Sequence, residues 1–307
     1  MPTQVNSSEL GQLRARDSLA DHDSIAALLG GRLTASTRLL GGTSTQSHRL
    51  DIALDTDQLV VVTRQFHRNE NDESTGVAQR EHDVLVALHA ASIPVPKPYL
   101  VADDGNVVVA EFVSGSPDVG TAELSSALDQ MADTLVNIHA VDPTTIESLL
   151  PLEDPVTELP AYLPDNEVGR LVASALGEVD VSPNPAVVAH GDYWPGNVLW
   201  RDGQLVAVID WEDVCVGDPL ADLACARVEL LCAYGEAAME QFTERYLDGV
   251  RNAQAASIDT TDLSLWESYV SATALAHMHE WGLSADDEAR RRATTTAFFE
   301  RAARALG

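Results

Sequence analysis

The chain has 307 residues, of which 45% are hydrophobic, so it is long enough to bury the core of one large or two modest domains. Its 48 acidic and 19 basic residues give a formal net charge of −29, which argues against nucleic acids and anionic membranes as partners. No apolar run is long enough to span a membrane, and the polar N-terminal residues lack a signal-peptide pattern. We therefore expect a cytoplasmic protein.

Lysine is nearly absent, since Lys97 is the only one in the chain. An acidic surface almost without lysine is favoured in a high-salt cytoplasm, where salt screens the repulsion between like charges. A halophilic source is the expectation, and attraction of a cationic substrate is the alternative. Cys225 and Cys232 lie seven residues apart, at helical spacing, and are expected to be small core residues rather than a disulfide.

The first part of the chain is predicted to be rich in β-structure, with one main helix. Residues 1–22 are predicted to be a solvated lead-in or a short helix. The sequence that follows predicts these elements: a helix over 23–29, strands over 34–40, 47–54 and 59–66, a helix over 76–91, and a hairpin of strands over 99–102 and 106–112.

A glycine-rich turn joins the first two strands. It consists of Gly41, Gly42, Thr43, Ser44 and Thr45. Glycines allow close approach of the backbone, and the N–H groups of such a turn can bind phosphate oxygens. Two glycines between strands also make a plain hairpin, so the turn alone leaves both interpretations open.

The second part of the chain is predicted to be mainly helical. Apolar residues at helical spacing and proline or aspartate at helix starts predict these helices: 121–139, 168–176, one beginning at Asp218-Pro219, 235–250, 262–281 and 285–306. His139, at the end of the first of them, is expected to be structural.

The stretch from 187 to 223 carries the residues with chemical potential. Asp202-Gly203 between two short apolar runs predicts a β-hairpin. If Trp200 pairs with Leu205, Asn197 should pair with Val208, and Asp210 should lie roughly 7 Å from Asn197 along the partner strand. A carboxylate and an amide oxygen so placed suit Mg²⁺, which prefers oxygen ligands.

Asp192 lies on a loop just before this hairpin, five residues ahead of Asn197. Two metal ligands and a separate carboxylate base are the working parts of a phosphoryl-transfer site. The simpler interpretation is a hairpin with scattered polar loop residues. A metal hydrolase built on His190 and Asp192 is disfavoured, because the sequence lacks a second cluster of His and Asp.

Three motifs in order resemble the aminoglycoside phosphotransferase family, which includes choline, homoserine and other small-molecule kinases and shares the protein-kinase fold. The motifs are His190-Gly191-Asp192 with Asn197, then Ile209-Asp210-Trp211-Glu212, then Gly217-Asp218-Pro219 with Asp222-Leu223-Ala224. The resemblance implies that Asp192 is the catalytic base and that Asn197 and Asp210 bind Mg²⁺. His190, Asp218 and Asp222 would support the loop, although Asp218 could equally cap the helix that follows it.

The resemblance also assigns residues of the first part to the nucleotide. Arg64 lies where the family usually has its phosphate-binding lysine, and an arginine fork suits phosphate oxygens. Glu81 is the candidate to pair with Arg64, and backbone groups near Glu111 and Val113 would bind the purine edge. The glycine-rich turn would cover the phosphates, although it lacks the full glycine pattern of protein kinases.

The acceptor side is the least defined. Tyr193, Trp194, Glu212 and Asp213 are its candidates, and Trp194 could equally be a packing residue. The full expectation is an α+β, two-lobed, protein-kinase-like fold. Its β-rich lobe over 1–112 would bind nucleotide, and its mainly helical lobe over 113–307 would be catalytic. The expected enzyme transfers the γ-phosphate of ATP or GTP to a hydroxyl of a metabolite, sugar, amino alcohol or antibiotic, with Mg²⁺. A catalytically silent nucleotide-binding module is the alternative.

Overall fold

The computed structural model describes residues 21–39, 45–66, 76–102, 105–120, 123–178, 181, 184–254 and 258–306. The chain divides into two compact units. The first comprises Met1–Val86 and Pro96–Phe112, and the second comprises Ala87–Val95 and Val113–Gly307. Gly41, Gly42, Thr43 and Ser44 of the glycine-rich turn lie outside the described residues.

The first unit is built on a five-stranded antiparallel sheet with strand order β1-β2-β3-β5-β4. Its elements are α1 (His22–Leu28), β1 (Arg32–Arg38), β2 (Thr45–Ala53), β3 (Gln58–Phe66), the helix α2 (Val77–Ala90), which continues into the second unit, β4 (Pro98–Ala102) and β5 (Val107–Glu111).

The two faces of this sheet differ because side chains alternate along each strand. On β2 and β3 the buried residues Leu50, Ile52 and Val61 pack with Ile25 and Ala26 of α1 in one core cluster. The residues between them are half-buried and form the other face. The side chain of Asp21 caps α1 by accepting from the backbone N–H groups of its first turn.

The second unit is mainly helical. Its helices are α3 (Leu124–His139), α4 (Pro155–Glu158), α5 (Glu167–Leu176), α6 (Leu220–Tyr234), α7 (Glu236–Gln254), α8 (Leu263–His277) and α9 (Ala285–Leu306), with short 3-10 turns between some of them. Its strands are β6 (Leu150–Pro151), β7 (Val187–Ala189), β8 (Val198–Arg201), β9 (Gln204–Val208) and β10 (Cys215–Gly217).

Two small sheets carry the stretch with chemical potential. Strand β10 pairs antiparallel with β7 and parallel with β6, and β8 pairs with β9 as the predicted hairpin. Asp202 and Gly203 form its turn with φ of 52° and 73°, as a tight two-residue turn requires. The hairpin prediction is therefore confirmed.

The predicted register of this hairpin is wrong by one residue. Trp200 does pair with Leu205, but Val208 pairs with Val198 rather than with Asn197. The shift between Leu199 and Trp200 is a β-bulge, which puts one extra residue into β9. Asn197 instead ends a 3-10 turn, and its carbonyl accepts a hydrogen bond from the backbone N–H of Ile209 at 2.9 Å.

The α+β class, with a β-rich first part and a mainly helical second part, is confirmed. The three cysteines are free. Cys225 is buried, as predicted for a small core residue, whereas Cys232 is only partly buried. Among the described residues, no helix is both long enough and apolar enough to cross a membrane.

Candidate active site

The loop after β7 has a backbone shape that requires glycine at its second position. Gly191 has a φ of 84°, in the region that other residues rarely adopt. A Cβ atom at this position would also collide with the backbone carbonyl of Asp213. Glycine therefore lets the loop turn closely beside the segment after β9, and the next residue is Asp192.

Asp222 of α6 anchors the start of this loop. Its buried carboxylate accepts hydrogen bonds from the backbone N–H groups of His190 at 2.7 Å and Gly191 at 2.9 Å. The Nε2 atom of His139 lies 3.0 Å from the same carboxylate, and His139 Nδ1 contacts the hydroxyl of Tyr246 at 2.7 Å. His139 is thus a buried structural residue that links α3 to the base of the loop.

These partners keep the Asp222 carboxylate charged. Burial alone would raise the pKa of Asp222, but the hydrogen bond and charge of His139, together with His190, lower it below its ordinary value. A fixed negative charge beneath two backbone donors gives the loop a single conformation.

His190 is buried, and both of its ring nitrogens are in contact with the protein. Its Nδ1 accepts from the backbone N–H of Asp192 at 3.2 Å, and its Nε2 contacts the carbonyl of Ile209 at 3.0 Å. A ring engaged in this way cannot serve as a metal ligand, which argues against the hydrolase built on His190 and Asp192. Among the described residues, no group of three or more His, Cys, Asp and Glu side chains is arranged to hold a metal ion.

The carboxylate of Asp192 is fixed by neighbours on the same loop. Its Oδ2 accepts hydrogen bonds from Asn197 Nδ2 at 2.9 Å and from Trp194 Nε1 at 3.2 Å. Its Oδ1 lies 3.7 Å from the Sγ of Cys225, a weak donor on α6. Two N–H donors thus fix one carboxylate oxygen and leave the other with a thiol contact.

The surroundings of Asp192 disfavour its negative charge. Burial raises the pKa of Asp192 to about 7, and the negative charges of Asp213, Asp210 and Glu229 add to the effect, against the opposing hydrogen bond from Asn197. Like charges crowded into a partly desolvated site are the arrangement that a divalent cation would relieve.

Asn197 and Asp210, the predicted metal ligands, each carry an oxygen atom of the kind that Mg²⁺ prefers. The amide Nδ2 of Asn197 donates to Asp192, which leaves its Oδ1 to bind a ligand. Asp210 follows β9 with a φ of 68°, a strained conformation for a non-glycine residue and one that often marks functional sites. A carboxylate and an amide oxygen fit Mg²⁺.

Two helices later in the chain, α6 and α9, also contact the loop that follows β7. Arg291 of α9 lies with its guanidinium carbon 5.9 Å from the ring centroid of Trp194 and forms an ion pair of 2.6 Å with Glu229 of α6. Gly196 makes room for the indole ring, since a Cβ atom there would collide with it. Neither Arg291 nor Glu229 was predicted, because no local pattern connects them with the loop.

In the first unit, Arg64 of β3 forms an ion pair of 2.8 Å with Glu81 of α2, and both side chains are largely buried. The predicted pairing of these two residues is therefore observed. Thr45 is buried at the start of β2, and Glu111 ends β5 with its backbone N–H bonded to the carbonyl of Lys97. A buried arginine fork held by a carboxylate is a suitable group for phosphate oxygens.

Comparison with known proteins identifies the family. The model of the phosphotransferase enzyme family matches residues 42–257, which is more than half of the chain and includes Asp192, Asn197 and Asp210. The chain belongs to the phosphotransferase enzyme family. The predicted resemblance to this family is thereby confirmed.

Solved structures share the fold of this chain. The macrolide 2'-phosphotransferase MphH from Brachybacterium faecium is 18% identical with a TM-score of 0.61, covering 89% of this chain and 97% of its own. Choline kinase LicA from Streptococcus pneumoniae is 19% identical with a TM-score of 0.60, covering 90% and 96%. A thermostable aminoglycoside phosphotransferase APH(4)-Ia, in complex with AMP-PNP and hygromycin B, is 19% identical with a TM-score of 0.60, covering 91% and 98%. The kinase-like fold is thereby confirmed.

Curated relatives match about half of the chain. Acyl-CoA dehydrogenase family member 11 of Gallus gallus is 31% identical over 179 residues, which are 48% of this chain and 22% of that protein. Its Homo sapiens counterpart is 26% identical over 190 residues, with 47% and 22% covered. The chain thus spans about a fifth of the length of these relatives.

The structure corrects one of the predicted acceptor-side candidates. Tyr193 is fully buried and its hydroxyl donates to the backbone carbonyl of Met131 at 2.8 Å, so it packs in the core rather than lining an acceptor site. The sequence alone does not show which side chains of the loop point into the core and which point towards solvent. Glu212 is half-buried and Asp213 is exposed.

Asp218 makes its side-chain contacts at the start of α6 and with the segment before β7. Its carboxylate accepts from the backbone N–H of Leu220 at 2.9 Å, at the start of α6, and from the backbone N–H of Asn184 at 3.1 Å. Asp218 therefore caps α6 and holds the segment before β7 in place, whereas Asp222 makes the contacts to the loop.

Val113, the predicted purine-edge residue, directly follows Phe112 and is half-buried.

Proposed function

We propose that the protein transfers the terminal phosphate of ATP or GTP to a hydroxyl group of a small molecule. Support comes from membership of the phosphotransferase family and from one observation in particular. The Asp192 carboxylate is held on a braced loop by Asn197 and Trp194, amid negative charges that raise its pKa to about 7.

In this proposal, Asp192 orients the acceptor hydroxyl and takes its proton as the new O–P bond forms and the terminal phosphate leaves the nucleoside diphosphate. Its Oδ2 already accepts from two N–H groups, so Oδ1, contacted by the weak thiol donor of Cys225, is the oxygen that receives the proton. Positioning and charge neutralisation supply most of the rate in such reactions.

Asn197 Oδ1 and the Asp210 carboxylate would hold Mg²⁺. The donor set fits this ion, and the negative charge around Asp192 is what a divalent cation would offset. When bound, the ion supplies charge neutralisation at the phosphates. His190 and Asp222 hold the loop that carries these groups, and Asp218 supports the start of α6.

The β-rich part of the chain, over 1–112, is proposed to bind the nucleotide. Arg64, held by Glu81, would bind phosphate oxygens, and the turn over 41–45 would cover them. Backbone groups near Glu111 and Val113 would bind the purine edge. The mainly helical part, over 113–307, would then carry the catalytic and acceptor groups.

The acceptor is proposed to be a small hydroxyl-bearing molecule, with a metabolite as the first class to test. Trp194, Glu212 and Asp213 are the candidates to contact it. The acidic, lysine-poor composition supports a further proposal, that the enzyme works in a high-salt cytoplasm.

A two-stage screen tests the proposal. Thermal unfolding with nucleotides and Mg²⁺, at high and low salt, should show stabilisation by ATP or GTP that requires the divalent ion. ³¹P NMR with a panel of small alcohols, sugars, amino alcohols and antibiotics should then reveal a phosphorylated product. Nucleotide binding without a product from any acceptor would favour a silent nucleotide-binding module, and no nucleotide binding at either salt concentration would refute the proposal.

A further inference from the structure

Arg49 lies on the same face of the first unit's sheet as Arg64. Residues opposite each other in antiparallel strands share a face, and residues two apart on one strand return to it. Ser47 is opposite Arg64, and Arg49 is opposite Val62, which is in turn opposite Ala110. Arg49 therefore lies one step further along this face, roughly 7 Å from the row of Arg64.

The guanidinium group of Arg49 is held in a defined place. Its Cζ lies 4.8 Å from the ring centroid of Phe112, and its Nη2 donates to Asp51 Oδ1 at 2.7 Å. The side chain is 38% exposed, yet its Nε is buried with no hydrogen-bond partner among the described groups. The planar cation thus rests on an aromatic ring, with one N–H donor unused.

Fold stability gives little reason for an arginine here. A half-exposed ion pair such as that with Asp51 contributes little, and a buried N–H without an acceptor is unfavourable. The neighbours across the strand, Val62 and Ala110, are apolar. A planar guanidinium on such a face is well suited to stack on a flat aromatic ligand.

We propose that Arg49 stacks on the nucleobase of the nucleotide whose phosphates Arg64 binds. This inference rests on the proposed function, and it names a base-binding residue that the sequence motifs do not indicate. Arg49 lies two residues, or roughly 7 Å, along the sheet from the position opposite Arg64. This distance is comparable with the distance from the first phosphate of a nucleotide to its base. Stacking uses the face of the base, so adenine and guanine should be bound alike.

The test distinguishes binding of the base from binding of the phosphates. Calorimetric affinities of the full chain are measured for ATP, GTP and inorganic tripolyphosphate, each with Mg²⁺, in the wild type and in R49A. R49A should weaken both nucleotides about tenfold, as loss of one stacking partner does, and should change tripolyphosphate binding less than twofold. R64A should weaken all three ligands.

R49K and R32A are the matched variants. R49K keeps the charge but loses the planar group, so it should behave like R49A. Arg32 is an exposed arginine on β1 of the same unit, and R32A should leave all affinities unchanged. Thermal unfolding of each variant shows whether it is folded, and R49K gives the same comparison if R49A is not.

Each outcome is decisive. Equal losses for nucleotides and tripolyphosphate, wild-type affinity in R49A, or wild-type nucleotide affinity in R49K would overturn the stacking role and leave the proposed function intact. A loss confined to GTP would assign Arg49 to the edge of the base instead and overturn stacking. A wild type that binds no nucleotide would refute the proposed function and this inference together.

Discussion

Replacing Asp192 by Asn should stabilise the metal-free protein at neutral pH while abolishing phosphoryl transfer. Asn has the same shape, so its oxygen can accept from Trp194 and Asn197, and its NH₂ group can face the sulfur of Cys225. The substitution removes only the unfavourable charge, because burial and neighbouring carboxylates raise the pKa of Asp192 to about 7 from an ordinary 3.8.

The magnitude follows from linkage. A carboxyl group whose pKa is higher in the folded protein than in the unfolded chain contributes stability that is complete below the unfolded pKa. That contribution is lost as the pH rises through the folded pKa. At 1.36 kcal/mol per pKa unit, the full difference is at most about 4 kcal/mol, and the part falling between pH 5 and pH 8 is about 2–3 kcal/mol.

The assay is urea unfolding at constant ionic strength with EDTA, from pH 5 to pH 8. The stability advantage of D192N over the wild type should grow with pH across this range. The control D165N removes a fully exposed carboxylate and should show no such trend. A difference that does not change with pH, or a D192N variant less stable than the wild type at pH 8, would show that Asp192 is not held in an unfavourable charged state.

Three further substitutions test the loop and its supports. D222A removes a buried charged acceptor from the backbone N–H groups of His190 and Gly191 and should cost roughly 3–5 kcal/mol in urea unfolding. In the wild type this stabilisation should be lost only as the pH falls through the lowered pKa of Asp222. G191A should unfold more easily than G282A, because both glycines have positive φ but only the first would place a Cβ against Asp213. W194F should lower kcat about tenfold with an unchanged KM for nucleotide, because it removes one N–H donor to the catalytic carboxylate.

The sequence predicted much of the fold because strands and helices here follow simple periodicities. Asp202-Gly203 marked the hairpin correctly, since the backbone of a two-residue turn needs those residue types. The bulge in β9 had no such marker, so the predicted pairing of Asn197 was one residue out.

Contacts between distant parts of the chain could be predicted only where a known sequence pattern included both residues. Arg64 and Glu81 were paired correctly because the family resemblance assigns both positions. Arg291 lies beside Trp194 and pairs with Glu229, but no sequence pattern connects their helices with the loop, so only three-dimensional packing brings them there. The burial of Tyr193 likewise depends on the direction of a loop, which no periodicity encodes.

The most direct measurement of the central claim is Mg²⁺-dependent transfer of the terminal phosphate of ATP to an acceptor, compared in the wild type, D192N and D210A. D192N should lose turnover by orders of magnitude while keeping nucleotide affinity within a few-fold, because Asp192 acts on the acceptor hydroxyl. D210A should lose the Mg²⁺ dependence of nucleotide binding. Turnover near the wild-type rate in D192N, or unchanged Mg²⁺-dependent nucleotide binding in D210A, would contradict the account.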